Sequence, residues 1–216
     1  MSETNRADGA AKRITGVVHA PAVDESPRPA DSTERVVLHV GCGAYKREKL
    51  HRLFHGPEWR EVRLDIDPAV EPDIVASITD MHVVADESVD AVWSSHNLEH
   101  LYAHEVPIAL GEFRRVLKTG GLVLITLPDL QKVAELVCAG KLVETAYHSP
   151  AGPITPLDMI YGHRASIRRG NVFMAHRTGF TAVTLAEQLR RCGLVRVVVK
   201  RSGFDLWAVG YRLITA

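Results

Sequence analysis

The sequence is short of charge of one sign, of paired cysteines and of long apolar runs. Its 26 lysines and arginines are matched by 26 aspartates and glutamates, for a formal net charge of zero. That balance argues against a broad electrostatic grip on nucleic acid or on an anionic membrane surface. The three cysteines, Cys42, Cys138 and Cys192, are far apart and show no CxxC spacing. A disulfide framework and a cysteine zinc site are therefore not expected; buried reduced thiols are. No apolar run is long enough to cross a bilayer. The opening MSETNRADGAAKR has no apolar h-region, so no secretory signal is read there and a cytoplasmic chain is the expectation. The sequence leaves oligomeric state open.

What is present is one domain's worth of ordinary globular composition, 216 residues with 46% hydrophobic and 24% charged. Residues 1–33, rich in Ala, Pro, Asp and Arg and without periodicity, are expected to be a flexible tail. Order begins with Val36-Val37-Leu38-His39-Val40, a buried-strand pattern running into Gly41-Cys42-Gly43. A helix is expected next, with Leu50, Leu53 and Phe54 on one face. Strands follow at Val62 to Leu64, Asp73 to Ser77 and Asp90 to Ser95. Glu105 to Leu117 has the spacing of an amphipathic helix, with Pro107 in its first turn. Leu122 to Thr126 reads as a strand, and Asp129 begins a helix carrying Leu130, Val133 and Val137. Thr181 caps a last helix that Gly193 stops. Val195 to Val199 and Leu206 to Leu213 form a closing antiparallel pair.

Alternating strands and helices with such a pair indicate a three-layer α/β domain over 34–216. In such a domain the ligand crevice lies at the carboxyl ends of the strands, where strand order reverses. Gly41, Asp65, Asp80 and Ser95 all fall at or just past strand ends. Glycine lets the first turn approach a ligand closely. A carboxylate 24 residues on, at Asp65, can accept hydrogen bonds from both hydroxyls of a ribose; as a bland alternative it caps a turn. The dinucleotide fingerprint would need glycine at position 46, and the residue there is Lys46.

The pattern resembles the class I S-adenosylmethionine-dependent methyltransferases of the small-molecule type. Motif I is similar at Val36 to Gly43, and Leu64-Asp65-Ile66-Asp67-Pro68 looks like the second motif. Ile78-Thr79-Asp80-Met81 looks like the segment flanking adenine. Ser94-Ser95-His96-Asn97-Leu98-Glu99-His100-Leu101 is similar to the fourth-strand segment with its Glu-His pair. Phe113 to Thr126 resembles the following helix, turn and fifth strand. The resemblance covers roughly residues 36 to 130. It implies a doubly wound, mostly parallel seven-stranded sheet with a final antiparallel strand, and S-adenosyl-L-methionine as cofactor. By the same resemblance the cofactor residues are His39, Gly41, Cys42, Gly43, Asp65, Ile66, Asp80, Met81 and Ser95. His39 stands where the family has an acid, Tyr45 where it has a third glycine, and Ser77 where a carboxylate is common.

An in-line displacement at an activated methyl requires alignment and exclusion of water more than a particular side chain. An oxygen nucleophile can still use a general base. His96, Glu99 and His100 are the catalytic candidates; capping by Glu99 and packing by His100 are their structural alternatives. His96 to His100 also fits H-x-x-E-H, so a zinc-dependent hydrolase is a second reading and a non-catalytic nucleotide-binding relative a third. The irregular, proline-rich stretch around 147–179 is expected to form a lid. Between Asp158 and Glu187 it has no acid. Tyr161, His163, Arg164, His176 and Arg177 there are the candidates for holding a small-molecule acceptor bearing a carboxylate or phosphate.

Overall fold

The computed structural model describes residues 34–213, so the tail expected over 1–33 lies outside the described residues. In chain order the elements are β1 (Arg35–Val40), β2 (Trp59–Asp65), β3 (Ile74–Val75), β4 (Val89–Ser95), α1 (Val106–Val116), β5 (Leu117–Pro128) and α2 (Leu130–Cys138). A small hairpin follows, β6 (Tyr147–Ser149) and β7 (Gly152–Ile154), then α3 (Pro156–Tyr161) and α4 (Arg164–Arg168). α5 (Ala182–Arg191), β8 (Leu194–Ser202) and β9 (Asp205–Arg212) close the chain. The main sheet has seven strands in the order β3-β2-β1-β4-β5-β9-β8. The first five strands run parallel, and β9 is antiparallel to both β5 and β8. This is the doubly wound sheet that the sequence predicts.

Strand order reverses between β1 and β4, which opens the crevice where β1 ends at Gly41 and β4 at Ser95. The period-2 alternation of β1 divides the core. Leu38 and Val40 face α1 and α5, joining Leu110, Phe113, Leu185 and Leu189 in the larger cluster. Val37 faces the other way, with Ala91, Trp93 and Phe54. Asp129 and Thr181 cap α2 and α5 as expected, Asp129 accepting from the Gln131 and Lys132 amides.

Three expectations need correction. The helix expected after β1 is instead two single 3-10 turns, Arg47–Lys49 and Arg52–Phe54. Leu50 and His51 between them are extended, and the Trp93 indole Nε1 donates to the Lys49 carbonyl at 2.8 Å, taking an acceptor that a helix would have used. The stretch 147–179 is less irregular than its composition suggests, since it holds the hairpin, α3 and α4. The cysteines are free, but only Cys42 is buried; Cys192 is half-buried and Cys138, at the end of α2, is exposed. None of the described helices is long and apolar enough to cross a membrane.

Candidate functional site

A cleft of about 900 Å³ lies at the carboxyl ends of β1, β2, β4 and β5. Its floor is the turn after β1. Gly41 and Gly43 have φ of +63° and +58°, which glycine adopts without strain. Gly41 is also bare for a steric reason, because a Cβ there would fall 2.5 Å from Asn97 Nδ2. Asp65, buried at the end of β2, braces this turn: Oδ2 accepts from the Gly43 amide at 2.7 Å and Oδ1 from the Asp67 amide at 3.0 Å. An ionised carboxylate has about four lone-pair sites, so roughly two remain for a ligand.

One wall is aromatic. Trp93 on β4 and Trp207 on β9 stack with ring centres 6.0 Å apart, and His51 lies against both, at 5.3 and 5.5 Å. Strand alternation places Trp93, Ser95, Thr126 and Trp207 on the cleft side of the sheet. His39, on the same side of β1, is 3% exposed, with Nδ1 2.6 Å from Glu61 Oε1 on β2.

The segment after β4 turns abruptly. His96 has φ +48°, an uncommon conformation for a non-glycine residue, and Leu98–His100 form one 3-10 turn. The two histidines of H-x-x-E-H therefore do not share a helix face, which removes the geometric basis of the zincin reading. His96 has its ring half-exposed in the cleft, with Nδ1 3.2 Å from Glu99 Oε1 and Nε2 3.8 Å from Asp205 Oδ1. The Glu99 contact is an ion-pair approach without hydrogen-bond alignment, so both carboxylate oxygens are buried without a hydrogen-bond partner among the described residues. Burial acts to raise the Glu99 carboxyl pKa, but His96, then His100 and His176, outweigh it and leave it lowered. Burial likewise acts to lower that of His96, and Glu99 and Asp205 reverse the sign, so His96 is raised. His176 goes the other way, lowered chiefly by its burial.

Of the residues singled out in the sequence, His39, Gly41, Cys42, Gly43, Asp65, Ile66, Ser95, His96, His100 and Arg177 line the cleft. Met81 does not: its side chain is fully buried in the core. Arg115 donates to the carbonyls of Met81 and Val84 and pairs with Glu112 and Asp86, which fixes that loop with Met81 turned inward. Asp80 is exposed and bonds His82 instead. Ala76, Ser77 and Ile78 line the cleft at this edge in their place.

Among the acceptor candidates, Arg164 is committed to Asp158, its Nε 2.8 Å from Oδ1 of the carboxylate that forms the capping box of α3 with Thr155. His163 bonds Ser166, Tyr161 faces solvent away from the cleft, and His176 lies behind the wall with Nδ1 on the Met159 carbonyl. Arg177 does reach the cleft, lying over the Tyr102 ring at 4.7 Å, with its backbone amide on the Glu99 carbonyl at 2.8 Å. Sequence reasoning missed the wall residues Trp93 and Trp207 and the cleft-facing Asn97. Alternation along β4 could have found Trp93; Trp207 needed the order of strands.

Comparison with known proteins agrees with this geometry. A family model described as a methyltransferase domain matches residues 38–125. No curated protein sequence matches the chain. Among solved structures, an O-methyltransferase family protein from Burkholderia thailandensis superposes with a TM-score of 0.56 at 14% identity, covering 86% of this chain and 54% of that one. This chain thus spans about half the length of that protein. An S-adenosylmethionine-dependent methyltransferase from Methanosarcina mazei gives 0.56 at 16% identity, over 85% of this chain and 94% of its own. A Burkholderia thailandensis 1,6-didemethyltoxoflavin N1-methyltransferase, solved with 1,6-didemethyltoxoflavin and S-adenosylhomocysteine, gives 0.51 at 14% identity over 83% and 72%. At such identities the superpositions speak for the fold.

Proposed function

We propose that this chain is a class I S-adenosylmethionine-dependent methyltransferase and methylates a small acceptor bearing a carboxylate or phosphate. The observation that carries the reading is Asp65, a buried carboxylate with free lone pairs at the end of β2, beside the two-glycine turn.

Two features fit the cofactor to the residues present. Asp65 keeps acceptor capacity for a ribose. Asn97 Nδ2 is buried beside Gly41 with no acceptor among the described residues. We assign Asp65 to the ribose hydroxyls, the Gly41–Gly43 backbone and Asn97 to the amino-acid end, and Ile66 with Ala76 and Ile78 to the adenine edge. His39 takes over from the missing acid. With Nδ1 donated to Glu61, its Nε2 is left as an acceptor for an ammonium group. The bound sulfonium supplies an already activated methyl group. The protein's part is to hold the acceptor in line and keep water away.

Of the three catalytic candidates, His96 is assigned to the acceptor's proton, because its ring is exposed at the cleft. Glu99 positions that ring, and His100 forms wall. Arg177 and the residues 171–174 around it close the far side, and Arg177 is the group placed to meet an anion. The 147–179 segment is thereby proposed as the acceptor side of the cleft.

Calorimetry with S-adenosylmethionine, S-adenosylhomocysteine and NAD tests the cofactor assignment. Both sulfur compounds should bind and NAD should not; the reverse pattern overturns it. Incubation of the chain with methyl-labelled donor and a metabolite extract then identifies the acceptor as the labelled product. Cofactor binding without label transfer across extracts and candidate anions would favour the non-catalytic reading.

A further inference from the structure

Behind the cleft wall, three side chains from two distant parts of the chain converge. A carboxylate oxygen of Glu99 and one ring nitrogen each of His100 and His176 lie within 4.8 Å of one another. We propose that Glu99, His100 and His176 bind a divalent transition-metal ion of the zinc type.

The histidines are prepared for this. His100 Nδ1 lies 3.1 Å from the Ala175 carbonyl, and His176 Nδ1 lies 2.9 Å from the Met159 carbonyl. A carbonyl only accepts, so each Nδ1 carries a hydrogen, and Nε2 is the nitrogen left to ligate. This is the way ligating histidines are oriented by groups behind them. The rings stand at 64° with centres 4.9 Å apart. Two imidazoles on one tetrahedral ion with bonds of 2.0–2.1 Å have ring centres about 5 Å apart.

The third ligand supplies the independent sign. Glu99 is 1% exposed and its carboxylate oxygens have no hydrogen-bond partner among the described residues. A buried carboxylate oxygen without a partner is costly, and a metal ion placed at it would satisfy it. Oε1 faces His96, which leaves Oε2 for the ion. The cluster is also braced: the Glu99 carbonyl accepts from the amides of Arg177 and Thr178, at 2.8 and 3.2 Å, and so holds the strand-end turn against the His176 segment.

Two imidazoles and a carboxylate suit zinc, cobalt or iron(II) better than magnesium or calcium, which prefer oxygen ligands. Three protein ligands leave a fourth position, as in catalytic rather than structural zinc sites. Of the three, His100 lines the cleft, so an open position would be reached from that side. The site is independent of the methyl-transfer reading and is measured without donor or acceptor.

The test uses the full chain, without a histidine tag, stripped with chelator and redialysed. Zinc titration should give one equivalent bound per chain, and cobalt(II) should give the intense visible bands of a four-coordinate nitrogen and oxygen site. Glu99→Gln and His176→Ala should each weaken zinc at least about 100-fold, more than the loss of a supporting group behind a ligand. His82→Ala, at an exposed histidine outside the cluster, should leave it unchanged. Zinc affinity equal to wild type in both cluster variants overturns the proposal. Should those variants fail to fold, the unmutated chain decides. Absence of a zinc-induced rise in Tm and of cobalt bands overturns the site; their presence at one equivalent supports it.

Discussion

His39 Nδ1 lies 2.6 Å from Glu61 Oε1, across the neighbouring parallel strands β1 and β2. On the proposed reading, Glu61, one strand away, stands in for the first-strand acid of the resembled family and acts through this imidazole. Removing it with Glu61→Gln should free the tautomer of His39 and weaken S-adenosylmethionine binding, by a factor on the order of ten for the loss of one charge-assisted contact of about 1.4 kcal/mol. Calorimetry reads the change. His39→Asp should bind S-adenosylmethionine about tenfold more tightly than His39→Ala. Equal affinity across the three variants would remove His39 from the ammonium site.

Asp65 holds the turn and, on the proposed reading, also meets the cofactor's ribose. Asp65→Ala should cost about 1.5–3 kcal/mol of cofactor affinity, and should also lower Tm because the Gly43 and Asp67 amides lose their acceptor. A folded variant with unchanged affinity would place the ribose contact elsewhere.

Met81 separates core from cleft. Met81→Ala should destabilise the protein by about 2–5 kcal/mol, as deletion of a fully buried side chain does. Cofactor affinity, measured well below Tm, should change less than threefold. A large affinity loss with little loss of stability would return Met81 to the adenine edge.

Arg164 should matter for acid stability and not for ligands. Burial acts to raise the Asp158 carboxyl pKa, but hydrogen bonds from Arg164 and Thr155 outweigh it and hold the group well below its ordinary value of 3.8. A depressed carboxyl contributes stability that is complete above that ordinary value and is lost as pH falls through it toward the folded value. Urea midpoints of wild type and Arg164→Ala should therefore differ at about pH 6 and converge as pH falls below about 3.5. Cofactor affinity of Arg164→Ala should equal wild type. A constant gap across pH would assign the effect of Arg164 to packing.

Arg177 is the test of the acceptor's charge. Arg177→Ala should leave cofactor affinity within twofold of wild type and raise KM for an anionic acceptor by about 10- to 100-fold, the range of a lost charged hydrogen bond of 1.5–3 kcal/mol. Arg177→Lys should recover part of the loss. A neutral acceptor methylated equally well by both proteins would contradict an anion site there.

The sheet, its order of elements and the glycine turn were legible because they rest on local signals. Alternation in β1 and β4, capping at Asp129 and Thr181, and glycine after a buried strand are each written within a few residues. The segment after β1 shows where such signals fail. Its apolar spacing fits a helix, yet Trp93, 44 residues further on, claims the Lys49 carbonyl. The same holds for the arginines of the acid-free interval. Composition presents Arg164 and Arg177 as equivalents, whereas Asp158 at the edge of that interval neutralises the first and only the second reaches the cleft.

The sequence by itself determined the strand ends, and with them the position of Gly41, Asp65 and Ser95 at one edge of a parallel sheet. The reason is that strand and turn preferences are short-range, and side-chain direction follows from a period of two. Only the tertiary structure decided that Glu61 stands behind His39, that Trp207 stacks on Trp93, and that His176 arrives beside Glu99 and His100. Those pairings join residues 22, 114 and 76 to 77 positions apart. They are fixed by the order in which strands are laid into the sheet and by where the 147–179 segment is tied down, neither of which leaves a periodic trace in the chain.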